Sequence, residues 1–255
     1  MKVQEIVKVL EGIRLKKSRG QNFLINKKIA EKIVDLLNIK EDERILEIGP
    51  GLGSLTDEII KKGGRPFCIE IEKRFCDFLK VKYGKKIEII NDDFLKMDPE
   101  DLKDFRKCIG ALPYRGAKKI IMKILLEFEN IKTAVFCVQK EIADIIVSDK
   151  NSKNYSPLSV IAHLRCEAKK IMNVSPDFFY PKPGVISTVV LMDFKKGLID
   201  YDFYRFLCVV FKQRRKTIGN NLKGIINIDI KKRAEELNPQ EIFSLYESLK
   251  DYFKV

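Results

Sequence analysis

The chain has no tryptophan, a single histidine, and no C-x-x-C pair among its six cysteines. Each shortage removes a class of chemistry. His163 is the only imidazole available to a Ser/His/Asp triad, and it sits in the apolar run Leu158–Leu164, where helix packing is the better reading. The cysteines at 68, 76, 108, 137, 166 and 208 lie at least eight residues apart, so neither a zinc cluster nor a disulfide framework is expected. They read as reduced core thiols of a cytoplasmic protein that holds no metal. No apolar run is long enough to span a membrane, and the N-terminus is mixed and charged, unlike a secretory leader.

What remains is a chain of 255 residues, 45% of them hydrophobic, enough to bury a full core. Its formal charge of +13 favours polyanionic partners, nucleic acid first among them, although a solvated lysine-rich surface has the same composition. After a basic lead (Arg14, Lys16, Lys17, Arg19), helical periodicity runs from Asn26 to Leu37. Strand-like runs at 44–48, 66–71, 86–90, 107–110 and 133–139 then alternate with helical segments at 55–62, 73–83 and 117–127. Two further strands, 170–174 and 188–194, follow near a hairpin. This is the rhythm of an α/β fold with an open, mostly parallel sheet. Beyond Lys195-Lys196-Gly197 the pattern changes to helix at 201–212, 218–223, 231–237 and 239–252. Two units are therefore expected, residues 1–196 and a small helical lobe, 197–255.

The most informative stretch is Ile45-Leu46-Glu47-Ile48-Gly49-Pro50-Gly51-Leu52-Gly53, a buried strand running into a glycine turn and then a helix. A ligand reaches backbone only where side chains are absent, and a helix start favours polar ligands. The spacing is E-x-G-x-G-x-G, with Ser54 where a dinucleotide fingerprint carries its third glycine. The pattern resembles the first motif of S-adenosylmethionine (SAM)-dependent methyltransferases. Acidic residues follow the next two strands: Glu70, placed to accept ribose hydroxyls, and Asp93, placed to accept an adenine amino group. A carboxylate at either place also caps a helix. The fourth strand ends in Ala111-Leu112-Pro113-Tyr114, where a proline fixes the turn and a tyrosine ring is available to stack on a base or simply to pack.

Taken in order, Ser18-Arg19-Gly20-Gln21-Asn22-Phe23-Leu24, the glycine turn, Glu70, Asp93, Val138–Glu141, Tyr155–Val160, Phe179–Val190, Phe211–Thr217 and Asn221-Leu222 resemble the ribosomal RNA adenine N6,N6-dimethyltransferases, the KsgA/Dim type and, more distantly, Erm. The likeness covers residues 14 to 223. It implies a Rossmann-like class I SAM-methyltransferase sheet, with Gln21, Asn22, Leu24, Gly49, Gly51, Glu70, Ile71, Asp93, Phe94 and Ala111 around SAM. It implies Tyr114 and Phe179 on either side of a flipped adenine, with Ala111, Leu112 and Pro113 at its amine. Arg19 and the basic run Lys212, Arg214, Arg215 and Lys216 would hold small-subunit rRNA. The family resemblance implies a monomer that dimethylates two adjacent adenosines near the 3′ end of that RNA during subunit assembly. One residue departs from the pattern: the family begins its fourth motif with Asn, or sometimes Asp or Ser, and this chain has Ala111. The alternative expectation is therefore an rRNA-binding assembly factor with weak or no catalysis.

Overall fold

The computed structural model describes residues 22–253. Nine strands and nine α-helices appear among them. The sheet core is laid down by β2 (Arg44–Ile48), β3 (Arg65–Ile69), β4 (Glu88–Ile90), β5 (Lys107–Ala111) and β6 (Thr133–Gln139), which run parallel in the order β4-β3-β2-β5-β6. The chain then returns antiparallel: β9 (Ser187–Phe194) pairs with β6, and β7 (Cys166–Val174) pairs with β9 at the edge. The chain steps outward from β2 to β3 and β4, then crosses back to β5. The switch point, where such sheets leave a crevice, is thus at the carboxyl ends of β2 and β5.

Alternation along the strands feeds two separate cores, as a sheet covered on both faces requires. Ile45, Ile109, Val135, Cys137 and Val189 point to one face, against Ile33 and Val34 of α1 (Lys27–Asp35) and Leu55 and Ile59 of α2 (Ser54–Lys61). Leu46, Ile48, Cys108, Phe136, Val190 and Met192 point to the other. There they meet Ile121 and Leu125 of α4 (Ala117–Glu127) and Ile161 of α6 (Pro157–Arg165). This second core continues into Phe203, Phe206 and Leu207 of α7 (Tyr201–Val210) and Ile242 and Tyr246 of α9 (Pro239–Leu249). α3 (Lys73–Tyr83) spans the residues expected of it and packs Phe75, Cys76 and Leu79 inward. The β7 edge is blunted by Glu167, Lys169 and Lys170 and by a bulge between Lys170 and Met172.

Three features differ from the sequence expectation. Helices α5 (Lys140–Ile146) and α6 form where no element was assigned beyond the helical setting of His163, whose Nε2 lies 3.1 Å from the Ser148 carbonyl. Residues 231–237 were expected to be helical, yet only Ala234–Glu236 makes a single 3₁₀ turn. The preceding segment stays extended because Ile218 N and Gly219 N, at the start of α8 (Ile218–Leu222), donate to Lys232 O and Ile230 O. A Cβ on Gly219 would lie 2.5 Å from Ile228 O, so this approach requires glycine. Finally, β1 (Phe23–Leu24) and β8 (Phe179–Tyr180) form a two-residue antiparallel ladder that no periodicity announces, with Leu24 opposite Phe179.

Arg165 closes α6 at 2% exposure and forms no ion pair among the described residues. Its guanidinium donates instead to the carbonyls of Leu125 (2.9 Å), Lys195 (2.7 Å), Phe128 (3.3 Å) and Gly197. The cation is thereby desolvated with four of its five N–H groups on carbonyls, and it joins the end of α4 to the chain leaving β9. Replacing it with Met keeps the stem and strands these carbonyls, so Arg165→Met should lower unfolding free energy by ~2–4 kcal/mol, read from the urea midpoint.

Candidate functional site

At the switch point a cavity of about 350 Å³ opens between the ends of β2, β3 and β5. Gly49, Gly51 and Gly53 all take left-handed φ values (67°, 55° and 81°), which turns the chain out of β2 without side chains in the way. At Gly51 the demand is steric as well, because a Cβ there would come within 2.9 Å of the Phe23 ring. At Gly49 a Cβ would meet no protein atom and would stand in the open crevice. Such a cradle fits a ligand pressed against backbone. Ser54, at the place of a third glycine, donates its hydroxyl to the Leu24 carbonyl, so the turn holds β1 across its top.

Two buried carboxylates face this space. Glu70 Oε2 accepts the Gly51 N–H (3.1 Å) and Oε1 accepts the Glu72 N–H (2.9 Å), which fixes both oxygens at the carboxyl end of β3. Burial pushes its carboxyl above the usual range, and these backbone donors pull it back. Glu47, on β2 itself, accepts Thr56 Oγ1 at 2.7 Å on Oε2, while Oε1 is buried with no hydrogen-bond partner among the described residues. Desolvation raises its pKa to about 7. Asp93 Oδ1 accepts Leu95 N at 3.0 Å and so caps the 3₁₀ turn Phe94–Lys96; the capping reading of this carboxylate therefore holds, whatever Oδ2 does.

Of the residues expected around a cofactor, Asn22, Leu24, Gly49, Gly51, Glu70, Ile71, Asp93, Phe94 and Ala111 all line this one cavity. Gln21 and Arg19 lie outside the described residues. Pro113 also lines the cavity, and its carbonyl accepts both Gly116 N and Ala117 N, which fixes the turn into α4. Leu112 is buried in the core, its N–H on the Cys137 carbonyl. Tyr114 and Phe179 flank the cavity rather than line it. The Tyr114 hydroxyl lies 2.9 Å from Ser187 Oγ, and Phe179 packs in the cluster that contains Leu24 and touches Ala111. Sequence reasoning missed Phe23, Phe75, Arg115 and Lys119 in the wall. Two of them carried a signal: Phe23 lies between Asn22 and Leu24, and Arg115 directly follows Tyr114.

The basic run divides. Lys212, Arg215 and Lys216 are exposed, whereas Arg214 is half-buried. Arg214 pairs with Glu235 Oε2 (2.5 Å from Nη2) and donates to the carbonyls of Ser152 (3.0 Å) and Lys153. Among the described residues no group of three His, Cys, Asp or Glu side chains is placed to hold a metal, and no helix is long and apolar enough to cross a membrane.

A mixed seven-stranded sheet with this strand order, a glycine turn after its central strand and an acid after the next defines a class I methyltransferase fold. Two solved structures share it: a dimethyladenosine transferase from Plasmodium falciparum (TM-score 0.76, 23% identity, covering 90% of this chain and 98% of that one) and the 23S rRNA methyltransferase ErmE (TM-score 0.65, 24% identity, 89% and 99%). The model of the family described as ribosomal RNA adenine dimethylase matches residues 12–251. The chain is 44% identical over 226 residues to the ribosomal RNA small subunit methyltransferase A of Malacoplasma penetrans, covering 86% of this chain and 80% of the relative. It is 37% identical to that of Thermotoga neapolitana, covering 92% of each. The chain belongs to the ribosomal RNA adenine dimethylase family.

Glu47 gives the site a pH signature. Its folded pKa, about 7, lies above the unfolded value of 4.5, so the native state binds the extra proton. Stability is then fully present below pH 4.5 and is lost as pH rises through 7, by ~3 kcal/mol in all. Glu47→Gln should remove that contribution, seen as urea midpoints that fall less steeply between pH 5 and pH 7.5 than those of the parent.

Proposed function

We propose that this chain transfers methyl groups from SAM to N6 of two adjacent adenosines near the 3′ end of small-subunit rRNA, in the course of subunit assembly. The observation that carries the reading is the single cavity joining the glycine turn, Glu70 and Asp93 to the Ala111-Leu112-Pro113 strand end. The residues present fit a SAM molecule: a backbone cradle at Gly49, a fixed carboxylate pair of oxygens at Glu70 for ribose hydroxyls, and Asp93 Oδ2 for an adenine amine. When bound, SAM supplies a methyl group on a sulfonium already electrophilic enough to need no metal or strong base.

The protein's task is therefore positioning. An exocyclic adenine amine is a poor nucleophile because its lone pair is delocalised into the ring. Acceptors for its two hydrogens localise that pair toward the methyl group. The Leu112 carbonyl is one such acceptor. Ala111 offers no side-chain acceptor where the family pattern has Asn, and its small size leaves room for the first methyl group when the second is added. Tyr114 and Phe179 supply ring faces whose stacking offsets the cost of taking the base out of its helix. The helical residues from 197 onward and the basic N-terminal segment hold the RNA.

Methyl transfer from labelled SAM to unmethylated small ribosomal subunits tests this, with nucleoside analysis for mono- and dimethyladenosine. Ala111→Asn should raise the rate by roughly 5- to 150-fold, the equivalent of one restored hydrogen bond felt in the transition state. Silence from both proteins, with SAM and rRNA still bound, would replace the enzyme with an assembly factor, the reading Ala111 itself favours.

The split in the basic run gives a second test. Alanine at Lys212, Arg215 and Lys216 should weaken rRNA binding and flatten its salt dependence, by about 0.7–0.9 in the log–log slope for each phosphate no longer neutralised. Arg214→Ala should act first on stability, since it removes the closer of the two ion pairs of Glu235, leaving Arg233 at 3.9 Å, and frees the 152–153 carbonyls. Equal salt slopes for the triple variant and the parent would remove the RNA assignment.

A further inference from the structure

Ser187 opens β9 at 1% exposure, between Gln139 of β6 and Val174 of β7 in the strand register. A serine so deep in a sheet must satisfy its hydroxyl. It does so on the Tyr114 hydroxyl, 2.9 Å away, with the Cys137 thiol also within its reach. β9 thus starts beside the turn that follows β5, and its first side chain meets the hydroxyl of the ring assigned to stack on the target base.

The backbone at Tyr114 is fixed by Pro113, whose carbonyl takes Gly116 N and Ala117 N, but these bonds leave the two ring torsions of Tyr114 open. A hydrogen bond at the para position, the point of the side chain farthest from its Cα, fixes where the long axis of the ring points and so restrains χ1, while χ2 turns the ring about that axis without moving the hydroxyl oxygen. The bond partner is itself immobile, since β9 is paired on both sides. We propose that Ser187 is a positioning residue of the methyl-transfer site, anchoring the tip of the Tyr114 ring and so the place at which that ring meets the target adenine. The inference rests on the functional reading above and extends it to a residue with no direct contact to the base. Its weight in this chain is increased by Ala111. With no side-chain acceptor to orient the amine, the angular placement of the base depends more heavily on the ring beneath it.

Tyr114 also stays a neutral phenol at working pH, because burial raises its pKa. Either hydroxyl can then donate, so the bond persists through pH changes that alter neighbouring carboxylates.

The test is a double-mutant cycle of Ser187→Ala and Tyr114→Phe, measured as kcat and KM on unmethylated small subunits together with SAM affinity and urea midpoint. Each single variant should lower kcat about tenfold, the loss of one orienting hydrogen bond, and the double variant should be no slower than either. Ser187→Ala should leave SAM affinity unchanged. Additive losses, or a loss that appears only in SAM affinity or in the urea midpoint, would reduce Ser187 to a structural residue and overturn the proposal. A readout independent of turnover is the ring signal of Tyr114 in protein labelled with ¹³C-tyrosine, assigned by its disappearance in Tyr114→Phe. Ser187→Ala should shift and average that signal, and an unmoved signal overturns the proposal even if activity falls. Should the chain and its Ala111→Asn form both fail to transfer methyl groups, the functional reading fails, and the ring signal alone decides whether Ser187 fixes the ring.

Discussion

The turn from Gly49 to Gly53 is the constraint on which the rest of the site depends. A central parallel strand must leave the sheet and enter a helix within a few residues, and three left-handed glycines make the route possible. Once that turn is made, Gly51 N points at Glu70, Phe23 packs where a Cβ would have been, and Ser54 reaches the Leu24 carbonyl. Three distant segments are thus gathered by one backbone conformation. Glu70 becomes a fixed acceptor because the turn gives it a donor, and β1 lies over the crevice because the turn leaves room for it.

Charge in the interior follows the same pattern of saturated partners. Arg165 is buried among carbonyls and Glu70 among amides, and each is held by backbone dipoles rather than by an opposite ion. Such groups report on the local architecture more than on net stability, since desolvation offsets much of what the bonds return. Two carboxylates depart from this pattern: buried Glu58 takes an opposite ion, Lys61, at 2.5 Å, and Glu47 Oε1 has no partner among the described residues, its raised pKa being the direct consequence of burial at the wall of a cavity. The structural cations divide in the same way: Arg214 is committed to Glu235 and to loop carbonyls, while Lys212, Arg215 and Lys216 face solvent.

Ala111 shifts the chemical burden from a side chain to the frame around it. In a site where the nucleophile must be oriented rather than deprotonated, a missing acceptor reduces the number of fixed points on the base. Under the proposed function, the remaining ones would be the Leu112 carbonyl, the ring of Tyr114 and the ring of Phe179, which packs in the cluster that includes Leu24. The two-residue ladder between β1 and β8 matters here, because it sets Phe179 opposite Leu24 and so ties one wall of the base site to the lid of the cofactor cavity.

Much of this was legible in the chain itself. Alternating apolar runs placed β2 and β6 at their observed bounds and α3 and α4 likewise, because periodicity is a local property of sequence. Glycine spacing and the acids after the next two strands located the cavity, since their order along the chain is also their order across the crevice. Other features lay beyond local reading. The extended stretch before Ala234 competes with a helical pattern and wins only because Ile230 and Lys232 accept bonds from the start of α8. The β1–β8 ladder is too short to have a period. Arg214 and Arg215 are neighbours of one residue type, and their different environments follow from where Glu235 and the 152–153 loop come to lie. By itself the sequence determined the sheet, the turn and the family, which depend on residue type and spacing. Only the tertiary structure decided which cations are free, that Ser187 meets Tyr114 and that Glu47 is left half-satisfied, because each of those depends on side chains brought together from segments far apart in the chain.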